Sequence, residues 1–247
     1  MPTLALLHTS PLHVPVFDAL RDEDHPGLRL RHLVDEELLS RAREEGPEAV
    51  RDEARAVLDR AVAEGARAVL CTCSTLGAVA ETEGARAGRT VPVLRLDRPM
   101  AAEAVALGPR VLVVAALEST LAPTVALVDE EARRAGRPVT VRTLLADGAW
   151  PRFESGDTAG YVREVAAAVD TAAGHADVVV LAQASMAPAQ RLTTATVPVL
   201  SSPRPGLAAA VRALDTGGAA PARPSRPRRG AGRASCVHPG PRRGAHG

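Results

Sequence analysis

The chain has 247 residues, 46% of them hydrophobic, and a formal net charge of +1. That length supports one large domain or two small ones, each able to bury a core. It contains no lysine, asparagine or isoleucine, all 30 basic residues are arginine, and aromatics make up only 2%. The missing lysine excludes an internal Schiff base, the usual anchor of pyridoxal phosphate.

The three absent types have AT-rich codons, so the bias reads as genomic. A core left to Leu, Val and Ala favours layered α/β packing. Apolar runs at 3–8, 28–34, 68–73, 91–96, 110–116, 139–145, 177–182 and 197–201 read as strands. Unbroken runs such as VLVVAAL and DVVVLAQ suit parallel strands buried on both faces. Helices fill the gaps. Residues 47–64 carry an apolar stripe of Val50, Ala54, Val57, Leu58, Ala61 and Val62, stopped by Gly65. Residues 121–135, 159–173 and 205–214 read as further helices. Two similar α/β lobes follow, the first from 1–97 with 203–215 and the second from 98–202, with a boundary near 97–107.

Residues 216–247 carry seven Arg and no acid, which leaves the body mildly acidic. Of these 32 residues, 25 are Arg, Gly, Ala or Pro, so the segment is expected to be a disordered tail. A nucleic-acid arm and out-of-frame readthrough are both compatible with it, and the second is the plainer reading. Nothing in the body suggests a nucleic-acid surface. The start, MPTLALLHTS, lacks the pattern of a signal peptide, and no apolar run reaches a membrane span. Three cysteines are too few for a disulfide framework. A cytoplasmic, membrane-free setting is expected, with a homodimer left open.

Four small-polar clusters follow strand ends, where ligands bind in open α/β sheets. In HTSPLHVP, Thr9 and Ser10 suit carboxylate binding, and His8 and His13 are candidate acids or bases. In VLCTCSTLG, Cys71 lies inside the apolar run and reads as core, while Cys73 stands at the strand end. Two cysteines in Cys-x-Cys spacing, with no nearby His or Cys, do not complete a zinc site, and the redox spacing is absent. Ser74 and Thr75 are expected to begin a helix, whose free N–H groups would favour a thiolate at Cys73. In ALESTLAPT, Ser119, Thr120 and Thr124 either bind an anion or cap a helix. In VVVLAQASMAP, Gln183 and Ser185 occupy the matching strand end of the second lobe, as polar groups of the site or as a simple capped turn.

VLCTCSTLG, ALEST and VVVLAQASMAP together resemble ordered segments of the aspartate/glutamate racemase superfamily. Cys73, Ser74 and Thr75 match the first catalytic segment, Thr120 matches the turn that opens the second lobe, and LAQASM matches the second segment. The resemblance covers about residues 1–215. It implies two pseudosymmetric lobes around one site and cofactor-independent chemistry at a carbon next to a carboxylate. Racemases of this kind use two cysteines, one on each face of the substrate; related decarboxylases work with one. Here Gln183 stands in place of the second cysteine. The resemblance therefore implies Cys73 as the acid/base or nucleophilic thiol, with Gln183 and Ser185 in the second half-site. Thr9, Ser10, Ser74, Thr75, Ser119 and Thr120 would hold a small carboxylate substrate, with no metal or cofactor. A racemase or isomerase, a one-thiol decarboxylase or lyase, and a two-lobed binding protein without catalysis remain the readings.

Overall fold

The uninterrupted Leu and Val runs become strands whose alternate side chains enter two different cores. In the computed structural model, which describes residues 2–217, Leu4 and Leu6 of the first strand pack on one face and Ala5 and Leu7 on the other, all fully buried. The first lobe holds β1 (Thr3–His8), α1 (His13–Asp24), β2 (Arg29–Val34), α2 (Glu36–Glu45), α3 (Arg51–Ala63), β3 (Ala66–Cys71), α4 (Gly77–Gly84) and β4 (Val93–Arg95). The chain then builds α5 (Arg98–Leu107), β5 (Arg110–Ala115), α6 (Leu121–Ala135), β6 (Thr140–Leu145), α7 (Ala149–Glu154), α8 (Thr158–Ala172), β7 (Val178–Leu181) and β8 (Val199–Leu200). It ends the described residues with α9 (Pro203–Gly217).

Two four-stranded sheets result, in the orders β2-β1-β3-β4 and β6-β5-β7-β8. Every pairing is parallel, and helices cover both faces of each sheet. The two orders are the same path repeated, so β3 and β7 are equivalent strands. Order reverses beside β1 and beside β5, the switch points where an open sheet leaves a crevice at its strand ends.

All eight expected strands form, though several are trimmed. The shift that matters is in β3, which spans Ala66–Cys71 rather than 68–73. Its pairing with β1 ends at Leu7↔Cys71 and with β4 at Cys71↔Arg95, so Cys73 lies clear of the sheet. The expected helix at 47–64 divides into a 3₁₀ turn at Pro47–Val50 and α3. Gly65 follows it at φ 92°, a conformation that favours glycine. Residues 97–107, read from sequence as a boundary, carry α5. Its Met100, Ala101, Ala104 and Val105 are buried against the second sheet. The α9 helix returns to the first sheet, seating Leu207, Ala210 and Leu214 among Leu4, Leu6, Phe17 and Leu70.

The chain thus crosses between sheets twice, after β4 and after β8. The crossings touch: a side chain at Gly206 would collide with the backbone carbonyl and side chain of Leu96. Beside Leu96, Arg95 and Asp97 form a buried two-pronged ion pair at 2.7 and 2.9 Å. Gly77 makes room for it, since a Cβ there would lie 2.8 Å from the Arg95 guanidinium. The expected tail falls almost wholly at 218–247, outside the described residues, with 216 and 217 completing α9. Among the described residues no helix is long and apolar enough to cross a membrane.

Candidate active site

The C-terminal edges of the two sheets face each other. Between them lies a cavity of about 40 Å³, room for an ion or a carboxylate group. Thr9, Ser10, His13, Thr72, Cys73, Ser74 and Thr75 line it from the first lobe, with Leu39. Leu117, Thr120, Trp150, Phe153, Gln183, Ala184 and Ser185 line it from the second. Of the residues singled out in the sequence, only Ser119 of the proposed substrate-binding set is left out. Its hydroxyl is buried without a partner, and it turns away because residues 118–120 form a tight 3₁₀ turn.

Cys73 and Gln183 are structural counterparts. Each stands two residues past its strand, β3 ending at Cys71 and β7 at Leu181. Ser74 ties the two edges together by donating to the carbonyl of Ala182 at 2.6 Å. The expectation that Ser74 and Thr75 begin a helix is corrected: they lie in a turn, and α4 starts at Gly77. Cys71 is core, as its place in the apolar run implied.

The N–H groups expected to favour a thiolate at Cys73 are opposed by burial. Burial pushes the thiol above its ordinary range. The Thr9 hydroxyl, the amides of Leu76 and Thr75, and the Thr75 hydroxyl pull the other way without overcoming it. The site therefore rests with a neutral thiol whose surroundings are set to receive a thiolate when one forms.

Counting protons on the hydroxyls divides them by role. Ser74 spends its proton on Ala182, and Thr120 spends its own on the Leu117 carbonyl at 2.6 Å. Thr124 likewise spends its proton on the Thr120 carbonyl, one turn back, at 2.7 Å. The Thr75 hydroxyl is buried, bonds no oxygen or nitrogen, and lies against the Cys73 thiol. Its proton is thus open to a thiolate or to a bound anion, whereas Ser74 and Thr120 can only accept.

Gln183 does not present its oxygen to the cavity. Its Oε1 accepts from the amides of Ala116 at 2.6 Å and Leu117 at 3.2 Å, at the end of β5. Those amides would otherwise form an anion cradle, so the glutamine fills it with its own carbonyl. Ser185 shares a hydrogen bond of 2.8 Å with the hydroxyl of Tyr161, a fully buried residue of α8. Burial raises the Tyr161 phenol, so it stays protonated and does not act as a base for Ser185.

Behind the wall, the Thr72 hydroxyl donates to Leu7 at 3.0 Å and so accepts from His8 Nδ1 at 2.8 Å. His8 Nε2 then accepts from His32 Nδ1 at 2.9 Å. Burial, with the charges of His13 and His32, lowers His8 to about 3, so it is neutral and structural. Sequence reasoning missed Trp150, Phe153 and Tyr161. The signal was present: of the chain's four aromatics, only Phe17 lies outside 150–161. Trp150 and Phe153 stack at 5.0 Å and form the apolar wall. No His, Cys, Asp or Glu cluster able to hold a metal occurs among the described residues.

With the geometry in place, comparison with known proteins gives a consistent picture. The family model for Asp/Glu/Hydantoin racemase matches residues 15–213. Aspartate racemase from Picrophilus torridus superposes with a TM-score of 0.66 at 15% identity, covering 88% of this chain and 95% of that one. Allantoin racemase from Pseudomonas fluorescens gives 0.58 at 19% identity, covering 87% and 92%. A mutant of arylmalonate decarboxylase in a sulfate-associated form gives 0.59 at 23% identity, covering 90% and 97%. At these identities the likeness to the solved structures is one of fold. No curated protein sequence matches the chain.

Proposed function

The chain belongs to the Asp/Glu/Hydantoin racemase family, and from that premise we propose a cofactor-independent isomerase of the racemase type acting at a carbon next to a carboxylate. The observation that carries this reading is Cys73, buried at the cavity floor among donors that favour its thiolate. The working unit is the two lobes, 1–97 with 203–215 and 98–202. The substrate carboxylate sits among the Thr9, Ser10 and Thr75 hydroxyls, with no cation in the lining to neutralise it. Loss of the α-proton spreads negative charge onto the carboxylate oxygens as an enediolate, and preformed donors stabilise that state more than the ground state. Cys73 exchanges a proton with the α-carbon on its face.

A second reading is favoured by the neutral resting thiol and the closed Gln183 half-site. A one-thiol decarboxylase needs its thiol protonated at the start: carbon dioxide leaves, and Cys73 protonates the resulting enediolate. The test of both is incubation in D2O with L- and D-aspartate, L- and D-glutamate, allantoin, 5-substituted hydantoins and arylmalonates. Deuterium incorporation or carbon dioxide release is followed, and Cys73→Ser is expected to lose at least a hundredfold in rate. An unchanged Cys73→Ser enzyme, or tight ligand binding with no turnover at all, would overturn the catalytic reading in favour of a binding protein.

A further inference from the structure

We propose that His13 is the second proton-carrying group of this site, taking the part of the thiol that Gln183 replaces. The inference rests on the isomerase reading above and assigns the missing half of its chemistry.

A reaction that inverts a carbon needs a group on each face, one to take a proton and one to give it. The second lobe supplies neither. Gln183 has no titratable proton, and its oxygen is held by two backbone amides. Ser185 is bonded to a phenol that stays protonated. Ser74 and Thr120 spend their hydroxyl protons on carbonyls. The rest of the lining is apolar or hydroxylic, with no carboxylate, arginine or tyrosine reaching the cavity. Among the lining residues, only Cys73 and His13 carry a titratable side chain.

His13 is also unusual as a histidine. It opens α1 directly after the Thr9–Ser10 turn. Its Nδ1 is fully buried and has no hydrogen-bond partner among the described residues. Structural histidines in this protein look different: His8 is bonded through both ring nitrogens. A buried orphan nitrogen costs about 1–3 kcal/mol unless a ligand meets it. The groups that face His13 are His8 of β1, at 5.9 Å between rings, and the cavity lining, and none of them is anionic at rest. Burial lowers its imidazole to about 4, while burial raises Cys73. At neutral pH one group is therefore a free base and the other a loaded acid, the complementary states that inversion requires.

The step balances. The unprotonated nitrogen of His13 takes the α-proton and becomes imidazolium, and the C–H pair remains on the substrate as the enediolate. The Cys73 S–H then gives its proton to the opposite face of the carbon and becomes thiolate. The reverse reaction runs from that imidazolium–thiolate state, and proton exchange with solvent restores the starting one.

The experiment uses the full chain in D2O with the same panel. In the wild type, inverted product should carry solvent deuterium while unreacted substrate stays protiated at early times. His13→Gln should lose at least a hundredfold in interconversion, and its remaining deuterium exchange should fall only in the enantiomer whose proton faces Cys73 and rise with pH as the thiolate forms. Cys73→Ser should show the mirror pattern, exchanging only the other enantiomer. His13→Gln racemising within threefold of wild type, or both variants losing exchange into the same enantiomer, overturns the assignment. The wild-type labelling is an independent check if His13→Gln does not fold: inverted product that retains the substrate's own proton also overturns it. A wild type inert toward every compound overturns the isomerase reading itself, an outcome distinct from an active wild type that does not need His13.

Discussion

Replacing Gln183 by alanine removes the acceptor of two buried amides at once, those of Ala116 at 2.6 Å and Leu117 at 3.2 Å. An unmet buried donor costs about 1–3 kcal/mol, and the longer bond belongs at the low end of that range. The two together, with the small void left by the side chain, cost about 3 kcal/mol. For a chain of this size, an m-value of about 3 kcal/mol/M turns that loss into a urea midpoint lower by about 1 M. The only tryptophan, Trp150, stands on the cavity wall and reports unfolding by its fluorescence. A second readout isolates the cause. Formate offers the same kind of oxygen as the lost amide, so formate should restore part of the midpoint in the variant and little in the wild type. Chloride at matched ionic strength is the control. A loss below about 0.5 kcal/mol, the range of an ordinary surface change, would refute the reasoning. So would an equal formate response in both proteins, because Gln183 would then not be plugging an anion cradle.

Stability should fall in acid through His8. Its folded pKa, lowered to about 3 from 6.5 by burial, gives a contribution that is complete above pH 6.5 and lost as pH falls toward 3. The upper limit is about 5 kcal/mol. His8→Gln should be less stable at pH 7 but flatter over that window in urea titrations; an unchanged slope would assign the acid sensitivity elsewhere. Gly206→Ala should cost about 1–3 kcal/mol by overpacking, since the new methyl meets the Leu96 backbone rather than a flexible side chain. Thermal melting within 1 °C of wild type, against a shift of about 2–4 °C per kcal/mol, would show that the crossing yields easily.

The parallel sheets were legible because strands buried on both faces need unbroken apolar runs, and VLVVAAL and VVVL have them. The equivalence of Cys73 and Gln183 was legible too, since a repeated path places matching clusters at matching strand ends. What local pattern could not give was hydrogen-bond bookkeeping. Ser74 reads as a binding hydroxyl until its proton is found on Ala182, 108 positions away. The flanking N–H groups around Cys73 are visible in sequence order, whereas the burial that opposes them comes from residues distant in sequence, such as Leu7 and Leu38, packed into the same core. His13 drew attention only as one histidine among several, and its significance lies in a missing partner, which no sequence displays.

The contact between Gly206 and Leu96 bears on how anything enters a cavity of about 40 Å³. Two separate tethers would let the halves shear and twist. Two tethers pressed side by side, braced by the Arg95–Asp97 pair, form a single joint between the sheets. The Ser74–Ala182 bond adds a second, weaker tie of about 1 kcal/mol at the cavity edge. Were the lobes to part about that joint, Cys73 and His13 would stay together on the first lobe and Gln183 and Ser185 on the second, so each half-site would keep its own hydrogen bonds.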